Sequence, residues 1–392
     1  MSDRRRLLLV QASGPPYPGG TNVILKRLLE DLPGWSIAPA VNSRLRRAVR
    51  RGDPLALESA YRYFLRIPPI PWLAPIAHLA NGPLALLAGL RLVPWARRSG
   101  AVCVVTAIDG GFSQVAAAVT ARLAGLPLVV LVFDLWEENA YGRSERLGAR
   151  LFERRLFRSA AEVVVFSAEA ADHYRGKHGI EPSVLRIPLP SEAEARDGHR
   201  GPQSVRADEP AEVFAGGAVY WAQEDAIRRL SSAVARVERA RLTVIGQESR
   251  LRSQGIVADR YEARLLGDDF RRRVADADVL ALGLSFGSPH PQVIRTATPA
   301  RLVEYMASGT PLLVHAPAGS HVAEYARSED FAEVVDEASI EAVAAGVERI
   351  VANPDLAQRR AARAMALAAS VHDGRRIRGE LRALLLRHTA PK

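Results

Sequence analysis

Apolar and polar residues in this chain are grouped in blocks. Short runs that are apolar on both faces, such as Leu7 to Ala12, Ala101 to Ala107 and Leu126 to Phe133, are each followed by a turn and then by apolar residues at helical spacing. A run apolar on both faces suits a strand inside a parallel sheet, with the intervening helices covering its two sides. The pattern predicts strands over 7–12, 101–107, 126–133, 162–167 and 184–187, and helices over 23–29, 112–124, 147–158 and 168–177. Ser191 to Pro210 is polar, charged and aperiodic, and is read as a linker. The series then restarts, with strands over 212–215, 242–246, 262–267, 279–284, 311–315 and 333–335 and a helix over 226–237. Residues 338–351 and 356–385 are largely helical and rich in alanine and arginine. The expected domains are residues 1–195, residues 196–370, and a C-terminal helix over 371–392 that reaches back to the first.

The stretch SPHPQVIRTATPARLVEYMASGTPLLVHAP, Ser288 to Pro317, holds a polar loop, a short helix and the next strand. Thr298 is placed as N-cap and Pro299 as first helical residue; Leu302, Tyr305 and Met306 recur at helical spacing, and Gly309 ends the helix. Free backbone N–H groups and the positive end of the helix dipole then face the loop, an arrangement suited to a phosphate or diphosphate. Arg301 adds a charge-assisted contact, and Glu304 is placed to accept hydrogen bonds from sugar hydroxyls. The same residues also suit an ordinary solvated helix with Arg301 and Glu304 as surface charges, and the stretch alone does not choose.

Glycine pairs follow the first strand of each series. Gly19 and Gly20 either bring backbone close to a ligand at a helix N-terminus or simply turn the chain, and Gly216 and Gly217 hold the matching place in the second half. The first loop has neither G-x-G-x-x-G nor G-x-x-x-x-G-K-[ST], which disfavours a dehydrogenase-type dinucleotide fold and a P-loop. Functional residues of such sheets gather beyond strand C-terminal ends. Asp109, Gly110, Gly111, Asp134, Trp136, Glu137 and Glu138 stand at such ends. Asp134, directly after a buried strand, is expected to face a crevice, whereas Glu137 and Glu138 are expected to cap the next element.

Composition narrows the classes. A chain of 392 residues with 48 % hydrophobic and 24 % charged residues can bury ample core. The net charge of +10 is carried by arginine, since Lys26, Lys177 and Lys392 are the only lysines, and it suits nucleotide phosphates, an anionic membrane surface or nucleic acid alike. No aromatic-basic patch and no zinc-finger spacing is present, which disfavours nucleic acid. No metal-ligand cluster is visible either, so no metal or cofactor is expected. Cys103 lies inside an apolar run and reads as a buried, inert thiol. Arg4 to Arg6 precede too few apolar residues for a signal peptide, so a cytoplasmic location is expected.

The most apolar segment, Tyr61 to Trp95, is interrupted by six prolines and leaves no run able to span a bilayer. It reads either as helices packed into a core, with His78 a packed residue, or as an interfacial element anchored by Trp72, Trp95, Arg91, Arg97 and Arg98.

TPARLVEYMASGTPLLVHAP resembles the donor-site signature of GT-B glycosyltransferases, particularly the glycosyltransferase family four group. FAGGAVYWAQEDAI is similar to the first strand, glycine turn and helix of their donor domain, and ARLLGDDFRRRVADADVLAL to its base-side strand and following helix. FDLWEEN resembles an acceptor-domain strand end, and PYPGGTNVILKRLLEDL the N-terminal glycine loop. The resemblance implies an α/β protein of two doubly wound, Rossmann-like parallel-sheet domains facing across a cleft, with C-terminal helices closing back on the first. It implies hexosyl transfer with retention from a nucleotide-diphosphate sugar to a hydroxyl of a carbohydrate or lipid-linked acceptor, in polysaccharide, glycolipid or secondary-metabolite glycoside synthesis. The apolar segment Tyr61 to Trp95 beside its arginines adds peripheral contact with an anionic membrane as an expectation, and nucleic acid is not an expected partner. Glu304 would bind the donor ribose, with Thr298, Arg301 and Gly217 near the diphosphate. Gly216 and Gly267 would belong to the same donor set, Gly19 and Gly20 would approach from the other domain, and Asp134 would be the catalytic carboxylate. Three places depart from the family pattern: Thr296 where a glutamate is common, Gln223 and Glu224 where an arginine and lysine are common, and Phe133 where a histidine is common. A non-catalytic nucleotide-binding member of an assembly complex and a sugar-nucleotide epimerase of the same fold are the alternatives.

Overall fold

The computed structural model describes residues 4–11, 20–41, 61–62, 74–108, 112–140, 143–190, 209–265 and 267–389. The chain divides into two compact units, residues 1–188 with 374–392 and residues 189–373. The linker expected over 191–210 lies outside the described residues up to position 208.

The first unit is a seven-stranded sheet in the order β3-β2-β1-β4-β5-β6-β7, parallel throughout. Its strands are β1 (Arg5–Gln11), β2 (Trp35–Val41), β3 (Tyr61–Arg62), β4 (Ala101–Ala107), β5 (Leu128–Val132), β6 (Glu162–Val165) and β7 (Ser183–Val184). Its helices are α1 (Gly20–Leu29), α2 (Ala74–Arg98), α3 (Ser113–Ala124), α4 (Arg143–Ser159) and α5 (Ala168–His178). The β5 residues are buried on both faces, as helices on each side of a parallel sheet require. The β6–α5 turn is set locally: the Ser167 hydroxyl accepts from the Ala170 N–H at 3.2 Å, and Gly179 closes the helix with φ 64°.

The second unit repeats the plan with six parallel strands, β8 (Ala211–Ala215), β9 (Ala240–Ile245), β10 (Arg260–Glu262), β11 (Val279–Gly283), β12 (Leu312–His315) and β13 (Glu333–Val335), in the order β10-β9-β8-β11-β12-β13. Its helices are α6 (Glu224–Val234), α7 (Glu248–Ser253), α8 (Gly267–Asp276), α9 (Pro291–Thr296), α10 (Ala300–Ser308), α11 (His321–Ser328), α12 (Ile340–Ala352) and α13 (Pro354–Val371). The last helix, α14 (Gly374–Thr389), belongs to the first unit. There Arg378 donates to the Arg27 carbonyl at 3.2 Å and Arg5 donates to the Thr389 hydroxyl at 2.9 Å. Strand order reverses between β1 and β4 and again between β8 and β11, and ligands of doubly wound sheets bind beyond the strand ends at such switch points.

Several elements differ from the sequence reading. Within the Pro-interrupted segment, residues 63–73 lie outside the described residues, and the part from Ala74 onward forms one long helix, α2, with Pro83 and Pro94 inside it. Helix α2 stays continuous because it is packed closely: a Cβ on Gly89 would meet Val119 Cβ of α3 at 2.6 Å. The strand expected over 262–267 ends at Glu262; Gly267, at φ 59°, opens α8 instead. The helical stretch 356–385 is two helices separated at His372 and Asp373. The polar loop before Thr298 contains the helix α9, with Pro291 in its first turn. Strand β2 and helices α7 and α11 have no counterpart in the sequence reading. Cys103 is fully buried, which pushes its thiol pKa up to about 12.

Candidate functional site

The site of the second unit begins at the end of β8. The strand leads into Gly216 and Gly217, and α10 brings two side chains onto this turn. The Tyr305 hydroxyl accepts from the Gly216 N–H at 2.9 Å, and Arg301 Nη1 donates to the Gly216 carbonyl at 2.8 Å. Both glycines are required by space. A Cβ on Gly216 would lie 2.7 Å from the Tyr305 hydroxyl, and one on Gly217 would lie 2.1 Å from Arg301 Nη1, at a backbone φ of 96°. Tyr305 is fully buried, and desolvation pushes its pKa up to about 12 against the opposing influence of Arg301 and Gly216, so the phenol stays protonated. Arg301 Nε is buried and has no hydrogen-bond partner among the described residues. A buried donor of a charged group is costly to leave unpaired, and an anion beside the turn would satisfy it. Glu304 lies one turn from Arg301 and close enough to Tyr305 for its charge to raise the phenol pKa.

The loop after β11 is held by α6. Asp225 accepts from the Phe286 and Gly287 N–H groups at 2.9 and 3.0 Å and also from the Ser285 hydroxyl. Burial works against this carboxylate, but those bonds and Arg229 outweigh it and lower its pKa. Arg229 in turn donates to His315 Nε2 at 2.8 Å, so the His315 Nδ1–H faces the Val335 carbonyl at 3.0 Å. Burial is the main reason that the His315 pKa falls to about 4. Trp221 packs on His290 at 4.8 Å between ring centroids and thereby joins the turn after β8 to the loop after β11.

In the first unit, Asp134 follows β5 and is exposed, while the protein around its carboxyl desolvates it and raises its pKa. Water reaches the carboxylate and preserves much of its hydration. The loop behind it is fixed by an ion cluster. Lys177 Nζ reaches Glu137 at 2.9 Å, Glu138 at 2.7 Å and the buried Glu153 at 2.6 Å, with His173 on Glu138 at 3.1 Å and His178 on Glu153 at 3.0 Å. Glu137 and Glu138 thereby bind the loop to α5, and Glu137 also pairs with Arg150 of α4. Desolvation opposes the charge on Glu138, but His173 and Lys177 prevail and hold its pKa at about 2.

The family model described as glycosyl transferase 4-like domain matches residues 19–190. Sucrose-phosphate synthase from Thermosynechococcus elongatus is similar in structure, with a TM-score of 0.72 at 16 % identity over 98 % of this chain and 99 % of that one. HepE from Anabaena, solved in complex with UDP, gives 0.65 at 15 % identity over 98 % and 100 %. The UDP-forming α,α-trehalose-phosphate synthase from Burkholderia xenovorans, solved with glucose-6-phosphate, gives 0.65 at 12 % over 97 % and 100 %. No curated protein sequence matches the chain. The chain has the GT-B fold, and its residues 19–190 are similar to the glycosyl transferase 4-like domain.

Within this GT-B chain the structure groups Gly216, Gly217, Arg301 and Glu304 at one switch point. Thr298 is not the N-cap. Pro299 takes that place in extended conformation, φ −60° and ψ 129°, and a residue preceding proline is itself driven away from helical geometry. Gly267 opens α8, whose Phe270 stacks on Tyr305 at 6.3 Å between ring centroids and lies 3.0 Å from a Cβ built on Gly216. Gly20 opens α1, and among the described residues no atom lies within 4 Å of a Cβ built there. Gly19, Asp109, Gly110, Gly111 and Trp72 lie outside the described residues. Arg295 is exposed on α9, and Thr296 is buried, its hydroxyl donating to the Gln292 carbonyl at 3.0 Å. Tyr305 was legible only as a core position of α10. What singles it out is a hydroxyl-tipped aromatic on the helix facing the glycine turn.

Proposed function

We propose that this chain transfers a sugar from a nucleotide-diphosphate donor to a hydroxyl of a carbohydrate or lipid-linked acceptor, with retention. The observation that carries the reading is the Gly216–Gly217 turn, gripped by Arg301 and Tyr305 and facing the buried, unpaired Arg301 Nε. In this proposal the diphosphate takes that donor together with the free N–H groups at the start of α10, and Glu304 accepts from the ribose hydroxyls. As the sugar–phosphate bond breaks, its electrons pass to the diphosphate, and the fixed positive groups stabilise the charge that develops there. The acceptor oxygen forms the new bond and gives up its proton, for which Asp134 is the candidate base. The charge compensation proposed here uses side chains and amides and calls on no resident metal or cofactor.

A panel of sugar nucleotides and acceptors tests the reading. Nucleoside diphosphate release that requires acceptor, a product of unchanged anomeric configuration, and loss of turnover in Asp134→Asn are expected. Donor turnover without acceptor would instead indicate an epimerase.

One observation favours a non-catalytic member as the second reading. Where the family commonly has a basic pair, Gln223 is buried with Oε1 unpartnered among the described residues, and Glu224 is paired to Arg228 at 2.6 Å. Nucleotide binding without turnover on the whole panel would decide for it.

A further inference from the structure

Helices α2 and α4 of the first unit show apolar side chains to solvent where surface helices normally show polar ones. The outward positions of α2 recur at helical spacing as Pro83, Leu86, Leu87, Leu90 and Pro94, while its Ala85, Ala88, Leu92 and Ala96 are buried. Helix α4 adds Leu147 and Leu151 to the exposed set. These five leucines are each 40–60 % exposed. The two helices pack together, since a Cβ on Gly82 would touch Phe152 at 3.4 Å; Leu86 lies one turn from Gly82 and Leu151 adjoins Phe152, so both rows border one seam. The seam is fringed by exposed arginines: Arg91, Arg97 and Arg98 on α2, and Arg146, Arg154 and Arg155 on α4. Among the described residues no helix is long and apolar enough to cross a membrane.

Leucines exposed side by side within a basic fringe match a bilayer surface, with apolar residues entering the acyl boundary and guanidinium groups meeting anionic headgroups. We infer that the α2–α4 face docks the first unit on an anionic lipid surface. The positive fringe selects a membrane over a second copy of this chain, because two such faces brought together would repel each other. The inference is independent of the donor reading, and its test contains no nucleotide.

The test is co-sedimentation of the whole chain with vesicles of phosphatidylcholine alone or mixed with phosphatidylglycerol, at low and high salt. Binding to the anionic vesicles that weakens at high salt is expected. Leu87→Gln/Leu90→Gln/Leu151→Gln should reduce it more than about tenfold, and Arg97→Gln/Arg98→Gln by about fivefold or more for each charge removed. Circular dichroism confirms that the variants are folded, since all five positions are on the surface. No binding to anionic vesicles, equal binding to both vesicle types, or leucine variants that bind like the parent would overturn the inference. So would concentration-dependent dimerisation in sedimentation velocity that the leucine substitutions abolish while vesicle binding is absent.

Discussion

Replacing Tyr305 by phenylalanine removes one oxygen from the grip on the glycine turn and leaves the ring in place. The Gly216 N–H, buried and bonded to that oxygen at 2.9 Å, then has no acceptor, while the Gly216 carbonyl keeps Arg301 at 2.8 Å. The cost is that of one orphaned buried donor, about 1–3 kcal/mol, with no contribution from a cavity because the ring volume is conserved. In a unit the size of residues 189–373, a loss of 1 kcal/mol lowers the melting temperature by about 3 °C, so a drop of about 3–9 °C is expected in its unfolding transition. Scanning calorimetry reads this directly. Titration with nucleoside diphosphates should show weaker binding by the same variant, because a loosened turn no longer presents Arg301 in one place. A melting temperature within about 1 °C of the parent would refute the reasoning, since the phenol would then contribute nothing to the turn.

Glu304→Ala should lower nucleotide affinity roughly ten- to a hundredfold through loss of charge-assisted bonds to hydroxyls, with little change in melting temperature; equal affinity by calorimetry would return Glu304 to an ordinary helix surface. His315 is buried neutral with its pKa lowered to about 4, so the unfolded chain takes up a proton first as the pH drops. Its contribution is complete above pH ~6.5 and is lost between there and about pH 4, on the order of 3 kcal/mol in all. His315→Gln should flatten that limb of a stability–pH profile, and a profile parallel to the parent would contradict the assignment. Lys177→Met leaves Glu137, Glu138 and the buried Glu153 without their shared cation and should destabilise the first unit by about 3–5 kcal/mol in urea unfolding; a loss below about 1 kcal/mol would show the cluster to be dispensable.

Strands buried on both faces were the most legible part of the fold. The range 101–107 matches β4 end to end, because a nearly unbroken apolar run admits one register and one boundary. Strand β2, WSIAPAV, was missed since Ser36 and Pro39 interrupt its pattern. Helix α2 was misread for a related reason: six prolines suggest broken helices, but two of them lie inside a helix held by close packing on α3. At the site, the glycine turn and the charged face of α10 could be read from residue types. The Tyr305 bond, the Asp225 clamp and the Arg229–His315 pair could not, because each joins residues far apart in sequence and shows no local signature. The α9 helix was hidden by its length, since a helix this short displays no full period.

The central claim is that the Gly216–Gly217 turn and α10 hold a nucleotide diphosphate. Titration calorimetry of the uridine, guanosine, adenosine and thymidine diphosphates against the parent chain and Gly217→Val tests it most directly. A Cβ at position 217 falls 2.1 Å from Arg301 Nη1 and must displace it, at a φ of 96° that valine resists. Binding of at least one nucleotide with Kd below about 1 mM, lost in a Gly217→Val chain that still unfolds cooperatively, is the predicted result. A folded parent chain that binds none of the four, or a variant that binds as the parent does, would contradict it.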